Sequence, residues 1–240
     1  MAPGRSAPHD RRMPLGEIAA VARQGWLIGA RALGLSDEAP RAPEATHAVA
    51  FIHGFFAAGP VFDPLRTRVE AQGMATLDLT YPWTGTFERI ADVLASRLHE
   101  AAAGRRLALV GHSLGGIFAR WVVAKHGVPA ETLVTIATPH AGTEIARRWP
   151  LPLARALRPD SAVLAQLDPP PIPHLAIVAG RDRMVRPPGS AAAAGARVHW
   201  LPDVGHNAVL FDPEAHRLVI DELQSWRRGV GAHLRSDAAE

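Results

Sequence analysis

Six apolar runs punctuate the chain, each closed by turn residues: HAVAFIHGF (47–55), MATLDLTYP (74–82), RRLALVGH (105–112), ETLVTIATP (131–139), HLAIVAG (174–180) and ARVHWLPD (196–203). Continuous rather than alternating apolar runs are what strands buried on both faces require. Between them lie stretches with helical period. Phe87, Ile90, Ala91, Leu94 and Leu98 share one helical face, and a helix over Leu114–His126 follows the third run directly. Asp212 followed by Pro213 is a helix start, because the carboxylate accepts from the first turn and Pro sits where no N–H partner is needed. That helix should run to about Trp226. Strands alternating with helices predict an α/β fold, a mostly parallel sheet with helices on both faces.

Two regions break the alternation. Residues 1–45 read as an N-terminal extension, in which LGEIAAVARQGWLIGARALGL (15–35) is apolar but interrupted by Glu17, Arg23, Gln24 and Arg31. A membrane-spanning helix does not fit there. Leu15, Ile18, Ala19, Ala22, Trp26, Ala30 and Leu33 fall on one helical face, so an amphipathic surface helix packed on the main body is expected. Contact of residues 15–35 with a membrane surface is the second reading. Arg11-Arg12 resembles a twin-arginine export signal weakly. The cytoplasm is the default location, with membrane association and export left open. The main domain should span 46–226, with a lid-like or cap insertion over about 140–173, where 34 residues exceed the needs of a simple crossover. Residues 227–240 read as a frayed tail.

Composition narrows the function classes. The 240 residues carry 26 basic and 23 acidic groups, a net charge of only +3, so the pI near 10.4 reflects how few groups titrate at high pH rather than a strong field. Lys125 and Tyr81 are the lone lysine and tyrosine. The scattered arginines form no nucleic-acid motif, and no nucleic-acid partner is expected. Cysteine is absent, which removes disulfide and thiolate chemistry. No clustered oxygen ligands or paired histidines at metal spacing occur, so neither metal nor cofactor is expected. The oligomeric state is not legible.

The third run ends in LVGHSLGG (109–116), a serine fenced by glycines. Such a fence suits a backbone turn too crowded for neighbouring Cβ atoms. In an open parallel sheet ligands bind beyond the carboxyl ends of the strands, and Ser113 stands at one with a helix starting behind it. A serine hydroxyl needs a base within reach and the base an orienting acid. His206, in DVGHN, lies just past the last strand, and Asp182, in AGRDRMV, just past the one before. Glu144, past the fourth strand, is the rival acid.

The motifs GHSLGG, FIHGFFAAGPVFDPL, ATPHAGT, GRDRMV and DVGH, in that order over residues 46–226, resemble the α/β-hydrolase superfamily, and within it the bacterial lipase and esterase branch. The resemblance implies a nucleophile elbow with Ser113 as nucleophile, His206 as general base and then acid, and Asp182 as the group that orients the imidazole. It also implies an oxyanion hole formed by the backbone N–H groups of Phe55 and Leu114. His53 is expected to be structural, its ring bonded to backbone. Phe56, His112, His140 and Trp149 are expected to line the substrate site, His140 with a structural role as the alternative. Trp149, Leu151, Leu153, Leu157 and Leu164 fit either a lid core or an acyl-binding surface. Some relatives carry calcium near the catalytic histidine, but Asn207 and Ala208 follow His206 here, a departure from that pattern. The implied activity is hydrolysis of small-molecule or lipid carboxylic esters through an acyl-serine. A thioesterase, amidase or acyltransferase could use the same residues, and a binding module that lost the chemistry is the remaining reading.

Overall fold

The computed structural model describes residues 15–33, 41–42, 44–82 and 84–229. The paired arginines at 11–12, most of the 36–45 loop and the end of the expected tail lie outside these residues. Six strands form one sheet: β1 (His47–Ile52), β2 (Ala75–Leu79), β3 (Arg106–His112), β4 (Ala130–Ile136), β5 (His174–Ala179) and β6 (Arg197–Leu201). Every neighbouring pair is parallel, and the order is β2-β1-β3-β4-β5-β6. All six expected strands are present.

Their apolar runs are explained by two cores. Along β1, Ala48, Ala50 and Ile52 face one layer of helices while Val49 and Phe51 face the other. The first layer is α3 (Phe87–Ala102) and α4 (Leu114–His126); the second holds α2 (Asp63–Glu70) and α7 (Pro213–Arg227). Asp212 caps α7 as expected, accepting from Glu214 N–H at 2.9 Å and Ala215 N–H at 3.0 Å. The sequence pattern did not announce α2, because its inward face carries Arg66. That side chain is fully buried, pairs with Asp78 of β2 at 2.7 Å and donates to Thr76 at 3.2 Å.

Residues 140–173 hold a 3-10 turn (Glu144–Arg148), α5 (Pro152–Ala156) and α6 (Ala162–Ala165). Leu153, Ala156, Leu157, Val163 and Leu167 join the α3–α4 core. The segment is therefore anchored by the same apolar layer that holds the sheet.

The N-terminal helix α1 (Leu15–Ala32) turns its apolar stripe away from the body. It does pack on the body, against the turns Gly59–Phe62 and Ala208–Phe211, but through its other face. Glu17, Ala20 and Gln24 are buried, whereas Leu15, Ile18, Val21, Trp26 and Leu33 are exposed, Leu15 at 86% and Trp26 at 69%. Polar side chains point inward because hydrogen-bond partners await them there, as described below. No helix among the described residues is long and apolar enough to cross a membrane.

Candidate active site

Sheet order places the crevice. The connection after β1 runs to β2 on one side and the connection after β3 runs to β4 on the other, so the loops leaving β1 and β3 diverge at their carboxyl ends. Ser113 follows β3 with φ 54° and ψ −123°, a left-handed backbone for a residue with a Cβ, and α4 starts immediately after it. Such backbone strain persists only where the surroundings over-determine it. Here the surroundings are backbone. A Cβ on Gly115 would collide with the Ile52 carbonyl oxygen, and one on Gly54 would stand 3.0 Å from Ser113 Cβ. Glycine at these two positions lets the β1 loop press against the turn. Leu114, the first residue of α4, has no helical acceptor for its N–H by position. Phe55 follows Gly54 in the loop that abuts the serine.

His53 fixes that loop. Its Nδ1 donates to Gly54 O at 2.8 Å, its Nε2 accepts from Tyr81 N–H at 3.2 Å, and the Tyr81 hydroxyl donates to His53 O at 2.7 Å. The two rings stack at 4.1 Å. Both ring nitrogens are thus committed with the imidazole neutral, and burial above all pushes its pKa down to about 4. The structural role expected of His53 is the one observed.

Asp182 and His206 meet as the chain order suggests. Asp182 Oδ2 stands 2.7 Å from His206 Nδ1, and both side chains are buried. Asp182 Oδ1 accepts from the N–H groups of Met184 and Val185, each at 2.7 Å, which aims the other oxygen at the ring. With Nδ1 donating, Nε2 is left as the basic nitrogen. Burial, the largest influence, favours the neutral ring, but the Asp182 carboxylate, with a smaller contribution from Glu17, outweighs it and raises the His206 pKa. Glu144, the rival acid, is exposed and pairs with Arg147 at 2.9 Å.

Ser113 and His206 line one cavity of about 210 Å³, together with Phe55, Phe56, His112 and Trp149. Among the described residues no hydrogen bond joins the Ser113 hydroxyl to His206, a looseness common before substrate binds. Phe55, Phe56 and Trp149 form an aromatic wall, with ring centroids 4.2 Å, 5.6 Å and 6.0 Å apart. Leu157 also lines the cavity while packing into the core, so that part of the 140–173 segment serves both roles. His112 donates from Nε2 to His206 O at 2.9 Å, and burial holds its pKa well below the usual value.

His140 does not belong to this cavity, which corrects its placement among the substrate-lining residues. Arg120 Nη1 donates to its Nδ1 at 3.1 Å, and its Nε2 meets Thr135 Oγ1 at 2.9 Å. The Thr135 hydroxyl also contacts His174 Nε2 at 2.8 Å. The ring is turned beneath the strand ends by this network. No group of three or more His, Asp or Glu side chains suited to a metal occurs among the described residues.

Sequence reasoning missed Glu17, which reaches the loop carrying His206, and the Arg120–Thr135 network. The signal for Glu17 was present: Glu17, Ala20 and Gln24 share the face opposite the apolar stripe.

A family model described as "Putative serine esterase (DUF676)" matches residues 83–158, a span that includes Ser113 but neither Asp182 nor His206. No curated protein matches the chain in sequence. Among solved structures, lipase BlEst2 of Bacillus licheniformis is similar with a TM-score of 0.63 at 15% identity, covering 76% of this chain and 92% of its own. The monoacylglycerol lipase of Paleococcus ferrophilus gives 0.58 at 16% identity, covering 75% and 96%. A Mycobacterium tuberculosis protein described as non-heme bromoperoxidase BpoC gives 0.61 at 17% identity, covering 77% and 92%. At these identities the likeness is one of fold. Taken with the parallel strand order and the strained serine turn after β3, it gives the chain the α/β-hydrolase fold.

Proposed function

We propose that the protein hydrolyses carboxylic esters through an acyl-serine intermediate. The observation that carries this reading is the buried Asp182–His206 pair, 2.7 Å apart, on the cavity that Ser113 enters from a strained turn. The serine-esterase family description and the lipases among the structural neighbours support it.

Ser113 Oγ attacks the ester carbonyl carbon as His206 Nε2 takes the hydroxyl proton. The carbonyl oxygen becomes an oxyanion, which the N–H groups of Phe55 and Leu114 hold; one such donor is worth about 2.7 to 4 kcal/mol in the transition state. Collapse breaks the bond to the alkoxy oxygen, which leaves as the alcohol with the proton from His206. Water then attacks the acyl carbon, again giving its proton to His206. Collapse of the second intermediate releases the acid and returns that proton to Ser113. The small aromatic-walled cavity suits acyl groups of short to medium length, each buried methylene adding about 0.8 kcal/mol until the space is filled.

Turnover of p-nitrophenyl esters from acetate to palmitate tests the reading, with fluorophosphonate labelling alongside. Ser113→Ala should lose labelling and at least about 10⁴-fold in kcat. Equal turnover by the variant and the parent protein would sink the proposal. The outward stripe of α1, beside the half-exposed Phe56 at the cavity rim, also supports peripheral contact with a lipid surface. Trp26→Ser should then weaken cosedimentation with vesicles, and a parent protein that stays in the supernatant removes the idea.

A further inference from the structure

The loop bearing His206 is held from outside the sheet. Glu17 of α1 is only 7% exposed. Its Oε1 accepts from the Asn207 backbone N–H at 2.8 Å and from Asn207 Nδ2 at 2.7 Å, and its Oε2 accepts from Ala208 N–H at 3.1 Å. Gln24, about two turns further along α1, donates to Asn207 Oδ1 at 3.0 Å. Both ends of the Asn207 amide are therefore engaged by the same helix.

One peptide group links this clamp to the chemistry. The bond between His206 and Asn207 presents its C=O to His112 Nε2 at 2.9 Å and its N–H to Glu17 at 2.8 Å. Hydrogen-bonded on both sides, that peptide plane is restrained against tilting, and the His206 Cα with it. Packing is close enough that a Cβ on Gly205 would strike the Glu17 carboxylate. A glutamate taken out of water costs free energy unless donors replace the water, and here three N–H groups do so. An apolar residue at position 17 would dock the helix without these constraints on the loop.

We propose that Glu17 is a positioning residue for His206, delivered by the N-terminal helix to hold the peptide that carries the base. The inference rests on reading His206 as that base. The charged and titratable groups facing His206 are Asp182 from the loop after β5, His112 from the end of β3 and Glu17 from α1. Glu17 is thus the second negative charge near the ring, and it helps to raise the His206 pKa after Asp182.

The test compares full-length Glu17→Gln and Glu17→Ala with the parent, using p-nitrophenyl ester kinetics across pH, nitrogen NMR of the His206 ring and a thermal melt. Glu17→Ala should lower kcat about 10- to 100-fold with KM nearly unchanged, the scale expected of a misplaced catalytic group. Glu17→Gln keeps an acceptor oxygen and should lose less. In both, the acid limb of kcat/KM and the His206 titration should move to lower pH, a shift that mere loosening of α1 does not produce. Unchanged kcat and an unmoved His206 titration in the folded variants would overturn the proposal. Should Glu17→Ala fail to fold, the isosteric Glu17→Gln decides on the same readouts. Should the parent lack esterase activity, the proposed function fails by itself, and the NMR titration still decides the role of Glu17.

Discussion

Two groups of histidines share the same sheet and differ in what they face: His206 follows β6, whereas His140 follows β4 and meets His174 at the start of β5. His206 meets a carboxylate, and its pKa rises. His140 and His174 face Arg120, and burial first, then that cation among their neighbours, pushes both down, His174 to about 3. Hydrogen bonding follows the charge. Arg120 can only donate, so His140 Nδ1 is an acceptor and its proton sits on Nε2, which donates to Thr135 Oγ1. The Thr135 hydroxyl must then donate to His174 Nε2. That sequence of donors runs with both rings neutral, leaving only His174 Nδ1 of the two rings without a partner among the described residues, and it has no place for an extra proton. The Asp182–His206 pair leaves Nε2 free to take one. All three rings are imidazoles taken out of water, and the fixed partner decides whether the histidine can cycle protons.

The sharpest way to break this contrast is Asp182→Asn. The side-chain oxygen can still accept from Met184 and Val185, but an amide nitrogen now faces His206 Nδ1 and forces the opposite tautomer. Ester turnover should fall about 10⁴-fold with the fold intact. Removing the cation from the other cluster should do the reverse. Arg120 also donates to the carbonyls of Leu167 at 2.8 Å and Asp168 at 3.1 Å. Arg120→Met strands those acceptors and His140, so urea unfolding should show about 3 kcal/mol less stability. Its kcat should stay within a factor of a few; a loss approaching that of Asp182→Asn would show that the two clusters act as one.

Much of this was legible in the sequence, for physical reasons. Strands buried on both sides leave unbroken apolar runs, which marks β1, β3, β4 and β5 most clearly; the largely exposed edge strand β6 could be found as well. Ser113, Asp182 and His206 each follow such a run, so their convergence needs only a parallel sheet. Helix α2 stayed hidden because a buried arginine interrupts its apolar face, and that arginine's partner Asp78 lies outside the helix, on β2. The α1 stripe was visible but its direction was not. Periodicity defines a face; the groups waiting on the body decide which face turns inward, and Glu17 finds its donors some 190 residues away. His140 was misplaced for the same reason, since nothing near it in sequence announces Arg120.

Acid should separate the clusters by sign. His206, raised in the folded state, contributes stability that is present below its unfolded value of 6.5 and is lost as pH rises through the folded value. His140 and His174, lowered in the folded state, contribute stability that is present above 6.5 and is lost as pH falls toward their folded values. Between pH 6.5 and 5.5 each of these two rings should cost about 1 kcal/mol, about 2 kcal/mol together. Urea titrations at the two pH values in the parent and in Arg120→Met measure it. Without the cation, protonation of either ring is easier, so the variant should lose less stability over that interval than the parent.

Thr135→Val is the mildest probe and bears most directly on the proton order. Valine fills nearly the same space on β4 but can neither accept from His140 Nε2–H nor donate to His174 Nε2. Two ring nitrogens lose their partners in a place where few others are in reach, because His174 Nδ1 already has none among the described residues. The expected cost is about 1 to 2 kcal/mol, less than for Arg120→Met because no cation is removed and no carbonyl is stranded. Ester kinetics and the His206 titration should not move, since neither hydrogen bond reaches the cavity wall. A shift of the His206 titration in Thr135→Val would mean that the two histidine clusters are electrostatically joined through β4, and the division drawn between them would fall.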